Sequence, residues 1–343
     1  MAAAVLRILT LNCHEAWVHQ LGALQGQLDI IDGLPGRYTS AWDSRIRPVP
    51  TGARLLSLAQ ALDERLPYDC LIAHSVSDLL DVKMLTSPRL LILHNTLESR
   101  VREGDGSSPQ QVRDVLRTYL QQVGGHAVAV SPMKARSWGV TEDVVPCGVD
   151  PEAYPPWSGE LACGLRVANQ IQQKRQILDW AFHQAAFQDI PVRIVGHNPE
   201  LPGVRPAESW DRLKTVLQSH RFFIHTADPR LEDGYNMAML EAMAAGLPVL
   251  GNRHPTSPIT HGVDGLLSDD PQALGQWARR LLEDRTLAGT LGQAARRTVM
   301  ERFPLSAFAE RLRRSMRTAQ RQQAGTRRRM QRAGRRSGGA DRG

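Results

Sequence analysis

Two carboxylates about two helical turns apart are the first candidates for chemistry. Asp233 stands directly before Gly234, and Glu241 follows within an apolar segment that ends at the run Gly246-Leu247-Pro248. At 3.6 residues per turn, the two acids lie on roughly one face of a helix. The helix N-terminus at residues 234–237 offers backbone N–H groups and the positive end of the dipole, which suit a diphosphate. The spacing alone is equally compatible with a helix-capping Asp233 and a solvent-exposed Glu241.

Three histidines in the first half of the chain form a second group of candidates. His14, His74 and His94 each stand just beyond the end of a short apolar segment typical of a strand. Ligands of parallel α/β sheets bind at the carboxyl ends of the strands, so each histidine is placed at a binding edge. A histidine at such a position is more often structural than functional, and both interpretations stay open.

The segments that must position these residues alternate between strand and helix patterns. Apolar segments of four to seven residues alternate with helix-spaced ones, which predicts parallel sheets covered by helices. The first half predicts strands over 5–11, 69–73, 89–93 and 126–130, and helices over 53–66, near Leu79 and over 112–123. The second half predicts strands over 165–168, 191–195, 221–224 and 247–250, and helices over 176–187, 210–217, 237–245, 271–283, 287–302 and 305–319.

A proline-rich loop at 146–158 separates the two halves. The length of 343 residues also favours two domains. The sequence therefore predicts an α/β fold with two facing Rossmann-like domains, residues 1–148 and 149–320, and a cleft between them.

The segment from Glu241 to Val249 reads EAMAAGLPV and resembles the signature "EAMAxGxPV" of retaining glycosyltransferases of the GT-B fold, family 4 and its relatives. Further segments of the second half resemble that family in the same order. They are 145–150 ("xPNGVD"), 195–199 ("VGxGP"), 261–267 ("xGxxGLL") and the helices that begin at 269 ("DP..LA.A...LL.D"). The resemblance implies a GT-B fold and the transfer of a sugar from a nucleotide-sugar donor.

The resemblance also implies roles for single residues. Glu241 is expected to accept hydrogen bonds from the ribose hydroxyls, and Lys174 to neutralise the diphosphate leaving group. Asp233 stands where the family usually has a glutamate near the donor sugar. Because Glu232 precedes it, which of these two carboxylates reaches the sugar stays open. The donor-binding residues implied are Glu241, Gly234, Tyr235, Asn236, Met237, Asn169 and Gly196.

Two positions depart from the family pattern. Asn169 stands where the family has an arginine, so one of two expected diphosphate cations is missing, and the loop 254–258 replaces "GGxPE". Lysine cannot supply the bidentate fork of arginine. The sequence contains no DxD pair of carboxylates, which favours a metal-independent mechanism without a cofactor.

The histidines gain roles from the same resemblance. His94 is expected near the donor sugar as a hydrogen-bond partner, and together with Asp233 and Lys174 it completes the predicted catalytic group. His14 and His74 are expected on the acceptor side. Because family members transfer with retention and the leaving phosphate takes the acceptor proton, no enzymic base is required.

The net charge of +7 belongs to the C-terminal segment. Twelve of the 42 basic residues but one of the 35 acidic residues lie between Arg311 and Gly343, so the preceding 30 basic and 34 acidic residues give a net −4. Residues 321–343 are poor in large apolar side chains, which predicts a disordered, arginine-rich tail. A solvated extension is favoured, weak contact with an anionic membrane comes next, and nucleic-acid binding is unlikely.

The four scattered cysteines and the lack of a signal sequence favour a cytoplasmic protein, with peripheral contact at the inner membrane surface as an option. The leading hypothesis is a retaining, metal-independent glycosyltransferase whose partners are a nucleotide-sugar and a glycan, lipid or small-molecule acceptor. The alternative is a catalytically impaired nucleotide-sugar-binding relative. The sequence identifies neither the donor sugar, nor the base of the nucleotide, nor the acceptor.

Overall fold

The structure is a computed structural model that describes residues 5–37, 41–102 and 108–337. It divides into two compact units. Unit 1 comprises Met1–Asp43, Val49–Pro146 and Phe308–Gly343, and unit 2 comprises Ser44–Pro48 and Cys147–Ala307. The boundary between the two units at Pro146 and Cys147 lies close to the predicted boundary after residue 148. Two segments differ from the predicted domains: 44–48 belongs to unit 2, and everything from Phe308 onward belongs to unit 1.

Unit 1 contains a six-stranded, all-parallel sheet with the strand order β3-β2-β1-β4-β5-β6. Its strands are β1 (Arg7–Leu11), β2 (Gln27–Ile31), β3 (Arg54–Leu56), β4 (Cys70–Ala73), β5 (Arg89–Leu93) and β6 (His126–Ala129). Its helices are α1 (Glu15–His19), a 3₁₀ turn (Gln20–Leu24), α2 (Leu58–Glu64), α3 (Val76–Asp81), α4 (Leu97–Arg102), α5 (Pro109–Val123) and α6 (Pro132–Trp138). This order is that of a Rossmann sheet, whose topological switch point lies between β1 and β4.

The predicted helix over 53–66 is wrong at its start. Residues Arg54–Leu56 form β3, in which Arg54 lies opposite Asp29 of β2 and donates to its carboxylate. The helix begins only at Leu58, because Ser57 caps it and forms a capping box with Gln60. Strand β2 also went unpredicted.

Unit 2 contains a five-stranded, all-parallel sheet with the order β11-β10-β9-β7-β8. Its strands are β7 (Leu161–Val167), β8 (Val192–Val195), β9 (His220–Ile224), β10 (Val249–Gly251) and β11 (Gly265–Leu267). Its helices are a 3₁₀ turn (Pro151–Ala153), α7 (Trp180–Phe187), α8 (Trp210–Ser219), α9 (Met237–Ala244), α10 (Pro271–Glu283) and α11 (Arg285–Arg302). Helix α9 packs its apolar face on α11 and on the sheet, in a core that includes Leu240 and Val299.

The last helix, α12 (Leu305–Ser337), corrects the predicted disorder over 321–337. Phe308 and Leu312 are buried in unit 1, and farther along Gln323 and Thr326 are buried as well. The amide of Gln323 donates to the carbonyl of Thr86 at 2.8 Å. Polar contacts with backbone carbonyls therefore dock this helix where apolar side chains are scarce. Residues 338–343 lie outside the described part of the chain.

The fold class is confirmed: the protein is α/β, with two Rossmann-like parallel sheets. Among the described helices, none combines the length and the apolar character needed to cross a bilayer. All four cysteines are free thiols in the structure.

Candidate functional site

Glu241 lies on α9 at the centre of a buried polar cluster in unit 2. Its side chain accepts a hydrogen bond from the guanidinium of Arg47, and both residues are almost completely buried, at 7% and 3% exposure. The Tyr154 hydroxyl also bonds to Glu241; burial first and the nearby carboxylate second raise the pKa of Tyr154. The Arg47 guanidinium lies over the Trp210 ring, 4.7 Å from its centroid. The structure therefore excludes the solvent-exposed alternative for Glu241.

Sequence reasoning missed Arg47, Tyr154 and Trp210. They come from three separate segments of unit 2, and no local pattern connects position 47 with position 241. In this cluster, only Glu241 lies in a motif that the sequence makes recognisable.

The N-terminus of α9 is more occupied than the sequence predicts. Asn236 is the N-cap residue, and its side chain accepts a hydrogen bond from the N–H of Met239. The N–H of Gly234 donates to the Thr256 hydroxyl at 2.8 Å. Within the predicted diphosphate-binding segment 234–237, the N–H of Gly234 is therefore already bonded to another side chain.

Asp233 lies in the loop that precedes α9 and is 1% exposed. Its backbone N–H donates to the Glu232 carboxylate at 2.8 Å, and its carbonyl accepts from Nε2 of His225 at 3.3 Å. Burial lowers the pKa of His225 to about 3, so that ring is neutral at pH 7. Because Asn236 caps the helix, the capping alternative for Asp233 is excluded.

Asn169 and Gly196 lie in the loops that follow the neighbouring strands β7 and β8. Oδ1 of Asn169 accepts from the N–H of His197 at 2.8 Å. Gly196 has a φ of +144°, and a Cβ there would lie 2.1 Å from the carbonyl oxygen of Ala168. The Asn169 side chain thus has a structural hydrogen bond at the position where the family has an arginine.

Lys174 lies on a turn after β7, and α7 begins at Trp180, later than predicted. Its N–H donates to the carbonyl of Gln170, and its carbonyl accepts from Leu178. The carbonyl of Leu178 accepts in turn from the Arg166 guanidinium and the Thr226 hydroxyl. Burial lowers the pKa of Arg166 to about 10. A buried arginine therefore anchors the segment that presents Lys174.

The predicted histidines gather at the carboxyl edge of the unit 1 sheet. Nδ1 of His74 lies 2.9 Å from Nε2 of His94, and Nε2 of His74 lies 2.9 Å from the Thr10 hydroxyl. The Trp17 ring meets both imidazoles edge to face, at centroid distances of 4.8 and 5.1 Å. His14 is the N-cap residue of α1. Thr10 was not predicted here, because only the pairing of β1 with β4 brings it beside His74.

Burial lowers the pKa of His74 to about 4 and that of His94 as well, the latter also through nearby positive charge. Within the described ranges, the Cys13 sulfur and one nitrogen from each of these rings lie within 4.8 Å of one another, a spacing compatible with a metal ion. Burial raises the pKa of the Cys13 thiol. Both nitrogens of His74 are already engaged in hydrogen bonds.

Comparisons with known proteins place these residues in a family context. Residues 165–284 match the family "Glycosyl transferases group 1". A stretch of 76 residues is 36% identical to N-acetyl-alpha-D-glucosaminyl L-malate synthase of Bacillus anthracis, covering 21% of this chain and only 20% of that enzyme.

Two solved structures are similar over most of the chain. HepE of Anabaena, in complex with UDP and glucose, superimposes with a TM-score of 0.66 at 14% identity over 91% of this chain and 99% of HepE. Sucrose-phosphate synthase of Thermosynechococcus elongatus gives 0.62 at 15% identity over 91% and 98%. At such identities the likeness shows the fold alone. The family match lies wholly within unit 2 and includes Asn169, Lys174, Asp233 and Glu241. Residues 165–284 of the second unit therefore match the model of the group 1 glycosyltransferases, and the α/β fold of the chain is similar to that of solved glycosyltransferases.

Proposed function

We propose that this protein transfers a sugar from a nucleotide-sugar donor to an acceptor hydroxyl. The observation that carries the proposal is the position of three family-matched groups after the carboxyl ends of the unit 2 strands. Lys174 follows β7, and Asp233 and Glu241 follow β9. Ligands of Rossmann-like sheets bind at this edge. Because HepE was solved with UDP and with UDP-glucose, a uridine diphosphate sugar is the first donor to test.

Each group has a separate task in the proposed reaction. The Glu241 carboxylate accepts hydrogen bonds from ribose hydroxyls, and Lys174 supplies positive potential to the diphosphate as the glycosidic bond breaks. Groups placed at a developing charge are worth about 10²–10³ in rate each. Asp233 accepts a hydrogen bond from a hydroxyl of the donor sugar, and His94 of unit 1 forms one hydrogen bond with the substrate.

Transfer occurs with retention if the acceptor hydroxyl attacks the sugar from the face that the diphosphate leaves, where the leaving phosphate oxygen takes the hydroxyl proton. No enzymic base is then needed, and the ammonium group of Lys174 supplies the positive charge that a metal ion would otherwise provide. We propose accordingly a metal-independent, cofactor-free hexosyltransferase of the cytoplasm. Its acceptor is a glycan, lipid or small molecule.

The second candidate is a relative that binds the nucleotide-sugar but has lost turnover. Three observations favour it: Asn169 is tied to the His197 N–H, the Gly234 N–H is tied to Thr256, and Arg47 is already paired with Glu241. All three reduce the groups available to a diphosphate or a ribose. This candidate predicts binding without product.

Turnover separates the two candidates. Purified protein is incubated with UDP-, GDP- or ADP-sugars and a mixture of acceptors, and products are detected by mass spectrometry. The proposal predicts a product with one donor, a loss of about 10²-fold or more in Lys174→Met, and full activity in the control Lys83→Met, an exposed lysine of unit 1. Binding without any product would favour the impaired relative.

The exposed face of α12 supports a proposed contact with an anionic membrane surface. Its buried side chains lie on one face, and exposed arginines lie on the opposite face over about 30 Å at 1.5 Å per residue. Glu310 is the only acidic residue of the helix. The exposed arginines of this face are Arg311, Arg314, Arg317, Arg321, Arg328, Arg329 and Arg332, while the exposed Arg327 donates to the carbonyl of Thr86.

The contact is proposed as purely electrostatic, because the apolar face of α12 is used within unit 1. Basic side chains near an anionic surface attract it by about 1 kcal/mol each. We expect co-sedimentation with phosphatidylglycerol vesicles at low salt, none with phosphatidylcholine, and a strong loss when Arg314, Arg321 and Arg328 are changed to Gln. Equal binding of the variant, or preferential binding of nucleic acid, would contradict this proposal.

A further inference from the structure

A chain of three hydrogen bonds crosses the carboxyl edge of the unit 1 sheet. The Thr10 hydroxyl donates to the carbonyl of Ile72 at 3.1 Å, across the pairing of β1 with β4. The same oxygen lies 2.9 Å from Nε2 of His74. Nδ1 of His74 lies 2.9 Å from Nε2 of His94.

The direction of each bond follows from the number of protons available. A carbonyl only accepts, so the single hydroxyl proton of Thr10 points to Ile72. The Thr10 oxygen must then accept from Nε2–H of His74. A neutral imidazole carries one N–H, so Nδ1 of His74 is an acceptor and takes the proton on Nε2 of His94.

We propose that His74 is a positioning residue that fixes His94 as its Nε2–H tautomer, so that His94 presents Nδ1 as a hydrogen-bond acceptor for a substrate hydroxyl. The low pKa of His74, about 4 through burial, keeps that ring neutral at pH 7, as the chain of bonds requires. Nδ1 of His94 accepts no hydrogen bond from any described side chain or backbone group. The proposal rests on the proposed sugar transfer for its substrate, but not for its tautomers.

The surroundings hold both rings in one orientation. Trp17, which is 3% exposed, packs edge to face against His74 and His94 and blocks rotation of either ring. The backbone N–H of His74 donates to the Asp78 carboxylate at 2.8 Å. The pair stands beside the β1–β4 switch point, where a Rossmann-like sheet binds its ligand. An acceptor fixed there selects an O–H or N–H donor and rejects a bare oxyanion.

The tautomers can be measured without any substrate. Long-range ¹H–¹⁵N NMR of protein labelled at histidine distinguishes protonated from unprotonated ring nitrogens, with His74→Asn and His94→Asn providing the assignments. We expect protonated Nε2 and unprotonated Nδ1 in both His74 and His94. A protonated Nδ1 in His94, or averaging between tautomers, would overturn the proposal.

Two pairs of variants test which contacts fix the tautomers of His74 and His94. Thr10→Val removes the acceptor for His74 and is expected to leave both rings averaging between tautomers, whereas Thr10→Ser keeps the fixed state. In His74→Asn the side-chain oxygen can occupy the place of Nδ1 and keep His94 protonated at Nε2, whereas His74→Leu cannot. Should Thr10→Val not fold, the His74 pair still decides: equal His94 signals in Asn and Leu variants would overturn the proposal.

Kinetics connect the tautomer with the proposed reaction. We expect His74→Leu to lower kcat about 100-fold, the scale of a misplaced reacting group, with UDP binding by calorimetry unchanged. His74→Asn should recover most of that loss. Tight binding of Zn²⁺ to the wild-type protein that is lost in Cys13→Ser would overturn the proposal, because a metal held by Cys13, His74 and His94 would take one ring nitrogen of each histidine and replace this chain of hydrogen bonds. Wild-type protein without any turnover would instead count against the proposed function, with the NMR result still standing.

Discussion

The carboxylate of Glu241 is paired with the guanidinium of Arg47, and both side chains are buried within unit 2. The two residues are 194 positions apart in the sequence. Removing one partner of a buried pair leaves an uncompensated charge and costs about 3–5 kcal/mol. Glu241, which is proposed to bind the ribose, therefore also stabilises unit 2.

We expect Arg47→Met to lower the free energy of unfolding by about 3–5 kcal/mol, as measured by urea denaturation. The double variant Arg47→Met/Glu241→Met should cost clearly less than the sum of its single changes, because no charge is stranded. Additive losses, or a change within about 0.5 kcal/mol for the single variant, would show that the pair has no such role.

Replacing Gly196 by Ala should destabilise unit 2 by more than about 4 kcal/mol. The added Cβ would overlap the Ala168 carbonyl at 2.1 Å, and the φ of +144° is unfavourable for any L side chain. Gly203→Ala is the matched control, since Gly203 has a φ of +79° but no atom within 4 Å of its Cβ position. The control should cost about 1–2 kcal/mol. Thermal unfolding of the two variants compares them, and equal melting temperatures would refute the steric argument.

The imidazole of His74 should make stability fall in acid. Its pKa is about 4 in the folded protein against 6.5 for a free histidine, so the unfolded chain binds the proton first as pH falls. The contribution of His74 to the free energy of unfolding is fully present above pH 6.5. It decreases by about 1.4 kcal/mol per pH unit below that value and levels off near pH 4, with a total loss of about 3 kcal/mol. Asp78, the facing carboxylate, opposes the burial effect.

The measurement is urea denaturation from pH 8 to 4 of wild-type protein and His74→Asn. The variant has no titrating ring at this position, so its stability should fall less over that window. Parallel curves would show that His74 titrates normally in the folded state.

Truncation of α12 should destabilise unit 1. A chain that ends at residue 320 loses the buried side chains of Gln323 and Thr326 and the bond from Gln323 to Thr86. We expect a loss of about 2–3 kcal/mol, at about 1 kcal/mol per hydrogen bond and the remainder from lost packing. A chain that ends at residue 332 keeps these contacts and serves as the control in thermal unfolding. No difference between the two chains would support the disordered tail instead.

The sequence predicted those parts of the fold whose signal is local. The strand over 89–93 and the helix over 271–283 have the predicted bounds, since an all-buried apolar run and an Asp270 cap with Pro271 define them. The three-residue strand Arg54–Leu56 depends on its pairing with β2, which no local pattern shows. The segment after residue 320 was misjudged because it docks through Gln323 and not through large apolar side chains.

The site was predictable to a similar extent. Glu241 and Lys174 are candidates because of their motifs, whereas Arg47 and Tyr154 reach Glu241 only through the tertiary fold. Gly234 was expected to offer its N–H to a ligand, but Thr256 from a later loop accepts it. Single motifs thus indicate candidate functional groups, while the residues that bond to them come from distant segments of the chain.

Isothermal titration calorimetry of UDP, GDP and ADP against the wild-type protein and Glu241→Gln tests the central claim most directly. Lys83→Met is the control, and thermal unfolding verifies that each protein is folded at the assay temperature. We predict saturable binding of one nucleotide, weakened about 10- to 100-fold in Glu241→Gln through the loss of charged hydrogen bonds, and unchanged in the control. Absence of binding to all three nucleotides, or equal affinity in Glu241→Gln, would contradict a nucleotide-sugar site at Glu241.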